Sequence, residues 1–366
     1  MKALKDITRE GYEKVVYCSD SRTGLKAIIA IHSTTLGPSL GGCRMWNYKS
    51  EQEALVDVLR LSRGMTYKAA IAGLNLGGGK AVIIGDPKKE KSEELFRSFG
   101  RFIEGLGGRY ITAEDVGTSI KDMDYVRMET KYVTGISKSF GGSGDPSILT
   151  AFGTYLGIKA SVKYKLKQDH LDGLSISVQG LGSVGMELVK YLANDGMKIF
   201  ACDIDRDIEE MAKETYKISI VDSDKIYDQD VDIYAPCALG ATINDETIPR
   251  LKCGIVAGAA NNVLKNPKIH SKALMNKNIL YAPDYAINAG GLINVYNELE
   301  GYNRDRAFSQ AEAIYDILMD IFIKSEQEGV PTNVASDLKA EERIHKIGSL
   351  KSFYLPNRRK SILKGR

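Results

Sequence analysis

The chain has 366 residues, 43% of them hydrophobic and 27% charged, and a net charge of +3, which is typical of a two-domain globular protein and gives no general attraction to nucleic acid or membranes. Its five cysteines are scattered without a C-x-x-C pair, which argues against a disulfide framework and a zinc site, so we expect no metal. The N-terminus has no apolar leader and no run of about 18 apolar residues occurs, so we expect a cytoplasmic protein with no membrane partner.

The first 146 residues predict a mixed α/β domain. Ser50, with Glu53 three residues later, is the pattern of a capped helix start, and the apolar face that follows reaches Met65. The GGSGD run at 141–145 offers the backbone freedom that a hinge needs. The predicted strands are Lys26–His32, Ala81–Ile84 and Tyr110–Ala113, and the further helices cover Leu95–Leu106 and about 119–130.

Residues 174–284 predict a parallel sheet covered by helices on both faces, because short apolar runs alternate with helical patterns. We therefore expect two α/β domains with a cleft between them, at 1–146 and 147–330, with 331–366 packing back on the first. The predicted strands of the second domain are Leu174–Val178, Ile199–Cys202, Ile233–Ala235, Ile255–Ala257 and Ile279–Ala282.

A dinucleotide-binding fingerprint opens the second domain. Gly180, Gly182 and Gly185 form a G-x-G-x-x-G that follows a predicted strand and begins a helix, with Leu181, Ser183 and Val184 between them. The glycines allow a tight turn and close approach of the pyrophosphate to the helix N-terminus. Asp203 ends the next strand, where a carboxylate accepts hydrogen bonds from a ribose and repels a 2′-phosphate. This pattern favours NAD over NADP, with Arg206 the one residue that blurs the choice. The alternative is a glycine-rich turn beside a surface aspartate.

Two lysines and an aspartate carry the possible chemistry of the first domain. Lys68 continues the apolar helix face, Lys80 follows three glycines and precedes a predicted strand, and Asp115 comes just after another. The GGGK run is not a phosphate loop, because neither Ser/Thr nor a helix follows it. From position alone, Lys68 could equally be a lysine whose amine reaches water, Lys80 a turn lysine and Asp115 a carboxylate leading a helix.

Five blocks resemble the signature of the glutamate/leucine/phenylalanine/valine dehydrogenase family. They occur in the family's order within about Gly37 to Arg306, most of the chain. The most specific block is MTYKAAIAGLNLGGGKAV at 65–82. The others are LGGCRM at 40–45, AEDVG at 113–117, GGSGDP at 141–146 and APDYAINAGG at 282–291.

The resemblance implies roles for the matching residues. Lys80 lies at the reacting carbon and activates water, Asp115 moves protons to and from the amine, and Lys68 binds the substrate carboxylate. A lysine removed from water can act as a base near neutral pH. The remaining implied contacts are Gly41 and Asn262 to the substrate, and Thr150 and Asn288 near the nicotinamide.

The resemblance also implies an apolar pocket for the substrate side chain. Glutamate-specific members carry a lysine where Leu40 stands, and leucine-specific members often carry valine where Leu292 stands. The implied pocket residues are Leu40, Met65, Ala113, Thr134, Leu292 and Val295.

The implied activity is NAD-dependent, reversible oxidative deamination of a branched-chain L-amino acid (leucine, valine or isoleucine) to the 2-oxo acid, ammonia and NADH. The resemblance is strongest to the leucine-specific branch. It further implies a homo-oligomer, commonly an octamer, with the first domain serving substrate binding and oligomerisation.

Three alternatives stay open from the residues. One is an enzyme of the same fold acting on phenylalanine or glutamate. Another is a different Rossmann oxidoreductase, such as a hydroxy acid dehydrogenase, which would not need Lys68, Lys80 and Asp115 together. The third is a non-catalytic NAD-binding regulator, which would be expected to have lost one of those three side chains.

Overall fold

The computed structural model describes residues 11–238 and 240–350 and divides them into two units. The first contains residues 11–144, 294–304 and 340–350, and the second contains 145–293 and 305–339. Residues 351–366, the end of the segment predicted to pack back on the first domain, lie outside the described residues. The functional division into a substrate domain and a cofactor domain stays a prediction.

The first unit is built on a mixed five-stranded sheet of order β1-β2-β4-β3-β5. Strand β2 pairs antiparallel with both β1 and β4, whereas β3 runs parallel to both β4 and β5. The carboxyl ends of the three parallel strands therefore meet at one edge of the sheet. The strands are β1 (Lys14–Asp20), β2 (Leu25–Ser33), β3 (Ser39–Trp46), β4 (Gly77–Ile84) and β5 (Tyr110–Glu114).

Helices cover both faces of this sheet. Helix α1 (Glu51–Ile71) packs Ala54, Leu55 and Val58 on one face, and helices α2 (Glu93–Glu104) and α3 (Ile120–Arg127) bury Phe96, Phe99 and Val126 on the other. The Ser50 hydroxyl accepts a hydrogen bond from the Glu53 N–H and caps α1 as predicted. The Glu53 carboxylate, however, accepts from the N–H of Lys49, so the box is not closed on Ser50.

The sequence analysis of this unit missed two strands and placed the start of a third too late. Strands β1 and β3 were not predicted, and strand β4 begins at Gly77 rather than at Ala81. Lys80 therefore lies inside a central strand and does not precede one. For β3 and β4 the cause is their glycines, which are poor strand formers and mask the pattern.

The second unit contains a parallel six-stranded sheet of order β11-β10-β9-β6-β7-β8. All five predicted strands of this sheet are present, and the short β8 is additional. This is the doubly wound arrangement expected from alternating strands and helices. The strands are β6 (Ser175–Gln179), β7 (Lys198–Cys202), β8 (Ser219–Ile220), β9 (Ile233–Pro236), β10 (Ile255–Val256) and β11 (Leu280–Tyr281).

Helices surround this second sheet and carry the chain back to the first unit. Helix α5 starts directly after the glycine-rich turn, and its end is followed by Gly196 in the left-handed conformation, as the sequence indicated. The end of α11 packs on α1, where the Tyr67 hydroxyl donates to Glu341. The helices are α4 (Ser147–Leu166), α5 (Ser183–Asn194), α6 (Arg206–Tyr216), α7 (Pro267–Asn276), α8 (Asp284–Ile287), α9 (Gly290–Tyr296), α10 (Arg304–Glu328) and α11 (Thr332–Ser349).

Candidate active site

Strand register gathers the candidate residues of the first unit on one face of its sheet. Gly42 of β3 pairs with Ala113 of β5, and the register of β3 with β4 on either side of Gly42 brings it level with Lys80. Residues two apart in a strand share a face. The face is that of helix α1, since Val82 packs in the same cluster as Val58. Leu40, Arg44 and Asp115 follow the same alternation, so this face carries both the charged candidates and part of the predicted apolar pocket.

Lys80 and Asp115 form an ion pair across this face. The Lys80 ammonium lies 3.1 Å from the Asp115 Oδ2, with the lysine side chain only 7% exposed and the aspartate 24% exposed. Asp115 is fixed in turn by the turn after β5, where its N–H donates to the Thr118 hydroxyl. A buried amine and a carboxylate in contact can exchange protons with a bound amino group and with water.

A second cation, Arg44, contacts the same carboxylate oxygen. Its Nε lies 3.0 Å from Asp115 Oδ2, and its Nη1 lies 2.9 Å from Asp57 Oδ2 on helix α1. Asp57 also accepts hydrogen bonds from the Tyr48 hydroxyl and from Arg60. Arg44 thus joins the site to helix α1.

The charges around Asp115 decide its protonation state. Burial would raise the pKa of the Asp115 carboxyl, but the Lys80 ammonium and the Arg44 guanidinium outweigh that effect and hold its pKa below the ordinary value. The carboxylate is therefore ionised at neutral pH and can accept a proton.

Glycines allow these charged groups to meet. A methyl group on Gly42 would lie 2.4 Å from the Glu114 carbonyl oxygen and 2.9 Å from the Asp115 Cβ. On Gly78 it would lie 2.1 Å from the Thr66 backbone nitrogen, so this glycine lets helix α1 come directly onto the strand. The glycines of the GGGK run are therefore needed for helix α1 to pack on the sheet, and they also leave room to approach the Lys80 amine.

The remaining predicted substrate residues of this unit surround the same strands. Lys68 lies in the last turn of α1, half-buried, and Met65 is one turn earlier beside Gly41. The Gly41 carbonyl accepts a hydrogen bond from the Tyr110 hydroxyl, so this oxygen is already engaged by the protein. Leu40, Ala113 and Thr134 are buried, and the Thr134 hydroxyl donates to the Thr112 carbonyl.

In the second unit, the glycine-rich turn has the geometry that a pyrophosphate requires. Gly180 has φ +104°, and a methyl group on Gly185 would lie 2.0 Å from the Gly180 carbonyl oxygen. Gly182 is the N-cap of α5, where no side chain satisfies the first helical N–H groups, and a methyl group there would meet nothing within 4 Å. The turn therefore leaves an open, electropositive cradle at a helix N-terminus.

Asp203 lies at the end of β7, beside this turn. Its Oδ2 accepts a 2.6 Å hydrogen bond from the Leu181 N–H, and its Oδ1 accepts from the Asp205 N–H. Each carboxylate oxygen can accept a second hydrogen bond, so the residue can hold the turn and still bind a ribose hydroxyl. Arg206 is exposed at the first position of α6.

The other predicted residues of the second unit lie in the loops that follow its strands and in nearby helices. Asn288 is buried, and its amide donates to the Ala259 carbonyl and to Asn261. Asn262 is exposed, with a left-handed φ of 52°. Thr150 is in the first turn of α4 and donates to the Pro146 carbonyl. Leu292 lies in α9, and Val295, three residues later in the same helix, falls in the first unit.

Comparison with known proteins decides the family. Residues 12–132 match the sequence model "Glu/Leu/Phe/Val dehydrogenase, dimerisation domain", and residues 203–342 match "Glutamate/Leucine/Phenylalanine/Valine dehydrogenase". A leucine dehydrogenase of Thermoactinomyces intermedius is 55% identical over 99% of this chain and 99% of its own length. The chain belongs to the glutamate/leucine/phenylalanine/valine dehydrogenase family.

Other members of the family are nearly as similar. A phenylalanine dehydrogenase of Caldalkalibacillus thermarum is 48% identical over 94% of this chain and 95% of its own length. The crystal structure of L-tryptophan dehydrogenase from Nostoc punctiforme superposes with a TM-score of 0.85 at 46% identity, covering 94% of this chain and 99% of that one. The two-domain fold of the family is therefore confirmed, and so is its activity class, an amino acid dehydrogenase.

Within the family framework, two structural features of the site were missed from the sequence. Arg44 was part of the matching block LGGCRM, but no role was assigned to it. Gly42, to which no role was assigned, faces Asp115. The alternation of side chains along β3 would have indicated both residues, but the strand itself was not predicted.

None of the helices found at 11–238 and 240–350 is both long enough and apolar enough to cross a membrane. Over the same residues, no group of three or more His, Cys, Asp or Glu side chains is arranged to hold a metal ion.

Proposed function

We propose that this dehydrogenase catalyses the NAD-dependent, reversible oxidative deamination of leucine, valine and isoleucine to their 2-oxo acids and ammonia. The observation that carries the proposal is the Lys80–Asp115 pair on a sheet face that also carries the apolar Leu40 and Ala113. Support for the substrate class comes from the leucine dehydrogenase at 55% identity.

Lys80 and Asp115 divide the proton transfers. Oxidation requires a neutral substrate amine, and the ionised Asp115 is placed to take the ammonium proton. Once the hydride has left the α-carbon and an iminium remains, Lys80 takes a proton from the water that adds to that carbon, and Asp115 returns a proton to the nitrogen, which departs as ammonia. Lys68 binds the substrate carboxylate by a charge-assisted contact, with the Gly41 backbone and Asn262 completing that end.

The cofactor is proposed to be NAD rather than NADP. It supplies the hydride acceptor when bound. The open N-terminus of α5 fits its pyrophosphate, and the cofactor residues are Gly180 to Gly185, with Thr150 and Asn288 toward the nicotinamide. Asp203 would place a carboxylate against a 2′-phosphate, which costs binding energy that a ribose hydroxyl does not.

The substrate pocket favours aliphatic side chains. Leu40 and Leu292 are buried and carry no charge that could pair with a γ-carboxylate. Burying an unpaired carboxylate costs on the order of several kcal/mol, and glutamate should be a very poor substrate. One methylene changes discrimination by only about 1–3 kcal/mol, so the three branched-chain substrates should differ modestly. Met65, Thr134 and Val295 complete the proposed wall.

The proposed assembly is a homo-oligomer working in the cytoplasm. The match of residues 12–132 to a dimerisation domain supports self-association, and an octamer is the proposed size. Five cysteines without a disulfide suit a reducing compartment.

The test is a spectrophotometric NADH assay of the purified protein with leucine, valine, isoleucine, phenylalanine and glutamate, each with NAD and with NADP. We expect the aliphatic substrates first, phenylalanine well below and glutamate last, and a higher kcat/KM with NAD. Phenylalanine in first place would make the chain an aromatic amino acid dehydrogenase. If none of the five amino acids supports NADH formation, the proposal is refuted.

A further inference from the structure

The contacts of Asp115 are divided unequally between its two oxygens. Oδ2 receives both the Lys80 ammonium at 3.1 Å and the Arg44 Nε at 3.0 Å. Oδ1 makes no hydrogen bond to any residue in the ranges 11–238 and 240–350. The carboxylate is thus held by one oxygen and keeps the other available for a substrate amine.

Arg44 itself is held at a second point. Its Nη1 contacts Asp57 Oδ2 at 2.9 Å, and Asp57 is fixed by the Tyr48 hydroxyl at 2.8 Å and by Arg60 at 2.9 Å. A planar guanidinium can bridge two carboxylates in this way, whereas a lysine ammonium is a single point of charge.

We propose that Arg44 is a positioning residue for catalysis, which aims Asp115 at the substrate and remains its counter-charge when Lys80 gives up its proton. The proposal rests on the proposed function, because it assumes that Lys80 acts as a base beside Asp115. It assigns to Arg44 a role in the chemistry that is separate from holding β3 to helix α1.

The charges of the network support this role. Arg44 contacts the same Asp115 oxygen as Lys80 and carries a permanent positive charge, whereas Arg60 contacts Asp57 and not Asp115. Asp115 therefore keeps a positive charge in contact with it when Lys80 transfers a proton, and loss of Arg44 would raise the pKa of the Asp115 carboxyl.

The other titratable groups around the pair do not compete with this effect. Burial raises the pKa of the Cys43 thiol and of the Tyr110 phenol well above their ordinary values, and burial together with Asp57 raises the pKa of Tyr48. These three groups therefore stay neutral at the pH of the assay and add no charge around Asp115.

The test compares the pH dependence of leucine deamination in the parent, Arg44→Gln and Arg44→Lys enzymes. In Arg44→Gln, kcat should fall about 10- to 100-fold, because Asp115 is no longer aimed. The acid limb of the pH profile of kcat/KM should move to higher pH by about 0.5–1 unit, because a positive charge next to the Lys80–Asp115 pair is lost. Arg44→Lys keeps that charge, so its acid limb should stay near that of the parent while kcat falls several-fold.

Arg60→Gln is the matched control. Arg60 contacts Asp57 but not Asp115 and is 54% exposed, so the same loss of charge one step away should change kcat and the acid limb little.

Arg44 also lines an open cleft of about 580 Å³ with Trp46 and Val116. Guanidinium ion at concentrations far below denaturing ones should therefore restore part of the activity of Arg44→Ala.

The outcomes separate this inference from the proposed function. A parent enzyme without NAD-dependent deamination of any amino acid refutes the proposed function itself. An active parent with an Arg44→Gln variant of unchanged kcat and unchanged acid limb overturns the role of Arg44, as does an equal shift in Arg60→Gln. If Arg44→Gln does not fold, the Arg44→Lys profile decides, and a parent-like kcat there contradicts the bridging role.

Discussion

Lys80 and Asp115 reach each other because the residue between them has no side chain. They come from β4 and from the turn after β5, and Gly42 of β3 lies between those strands. The catalytic candidates are charged groups, but their distance of 3.1 Å is set by a glycine and by the bridge that Arg44 makes to Asp115. At this scale the sequence predicted the charged candidates and missed the residues that hold them.

Gly42→Ala tests the importance of that missing side chain. The new methyl group would lie 2.4 Å from the Glu114 carbonyl oxygen, so strand β5 and Asp115 must move. We expect kcat to fall at least about 10-fold and the unfolding free energy to fall by about 1–3 kcal/mol. The matched control is Gly64→Ala in helix α1, where the methyl group meets nothing within 4 Å and should be neutral or slightly stabilising. Steady-state kinetics and urea unfolding measure both, and a fully active Gly42→Ala enzyme would contradict the packing argument.

Leu40→Lys tests the proposed side-chain pocket. Leu40 is buried on the same sheet face as Lys80, and an ammonium there could pair with a γ-carboxylate. The ratio of kcat/KM for glutamate over leucine should rise by about 10- to 100-fold, chiefly through glutamate binding. Leu40→Met, a change of similar volume, should keep the preference for leucine. An unchanged ratio in Leu40→Lys would place the substrate side chain elsewhere.

At the scale of elements, the success of the sequence predictions follows strand composition. Four of the five strands predicted for the second unit are uninterrupted apolar runs, such as Ile199–Cys202, the fifth alternates apolar residues with serines, and all five were found correctly. Strand β3 carries two adjacent glycines, and Gly42 and Arg44 occupy its site-facing alternation, so its pattern resembles neither strand type. The elements that build the site were therefore the harder ones to predict, because the site needs residues that break the regular pattern.

The ion pair of Asp115 should also show in the stability of the first unit. The pKa of this carboxyl is held below its ordinary value in the folded chain, so its ionic contribution is fully present above the unfolded pKa of about 3.9 and is lost as the pH falls through the folded value. At pH 7, Asp115→Asn should lower the unfolding free energy by about 1–3 kcal/mol, and this difference should shrink below about pH 4.

Urea unfolding followed by the fluorescence of Trp46, the single tryptophan of the chain, measures this stability difference at each pH. The control is Glu93→Gln, which breaks an exposed pair with Arg97 on helix α2 and should cost less than about 1 kcal/mol. A deficit of Asp115→Asn that grows as the pH falls would show that the carboxylate is not stabilised in the folded state.

At the scale of the whole molecule, the proposed chemistry and the proposed cofactor site lie in different units. Lys80, Asp115 and Arg44 belong to the first, whereas the glycine-rich turn and Asp203 belong to the second. Each set of residues is fixed by contacts within its own unit, such as the hydrogen bond from Leu181 to Asp203. Substitutions should therefore separate turnover from cofactor binding.

Two variants make this separation measurable. Lys80→Ala should lower kcat by about 10²- to 10⁴-fold while the Kd for NADH, measured by nucleotide fluorescence, stays within about two-fold. Asp203→Asn keeps an oxygen for the Leu181 N–H but loses its charge, so the preference for NAD over NADP should fall about 10-fold with kcat at saturating NAD nearly unchanged. Lys14→Ala, an exposed lysine on β1, should alter neither property. Loss of NADH binding in Lys80→Ala would mean that the two units do not act separately, and an unchanged preference in Asp203→Asn would remove Asp203 from cofactor selection.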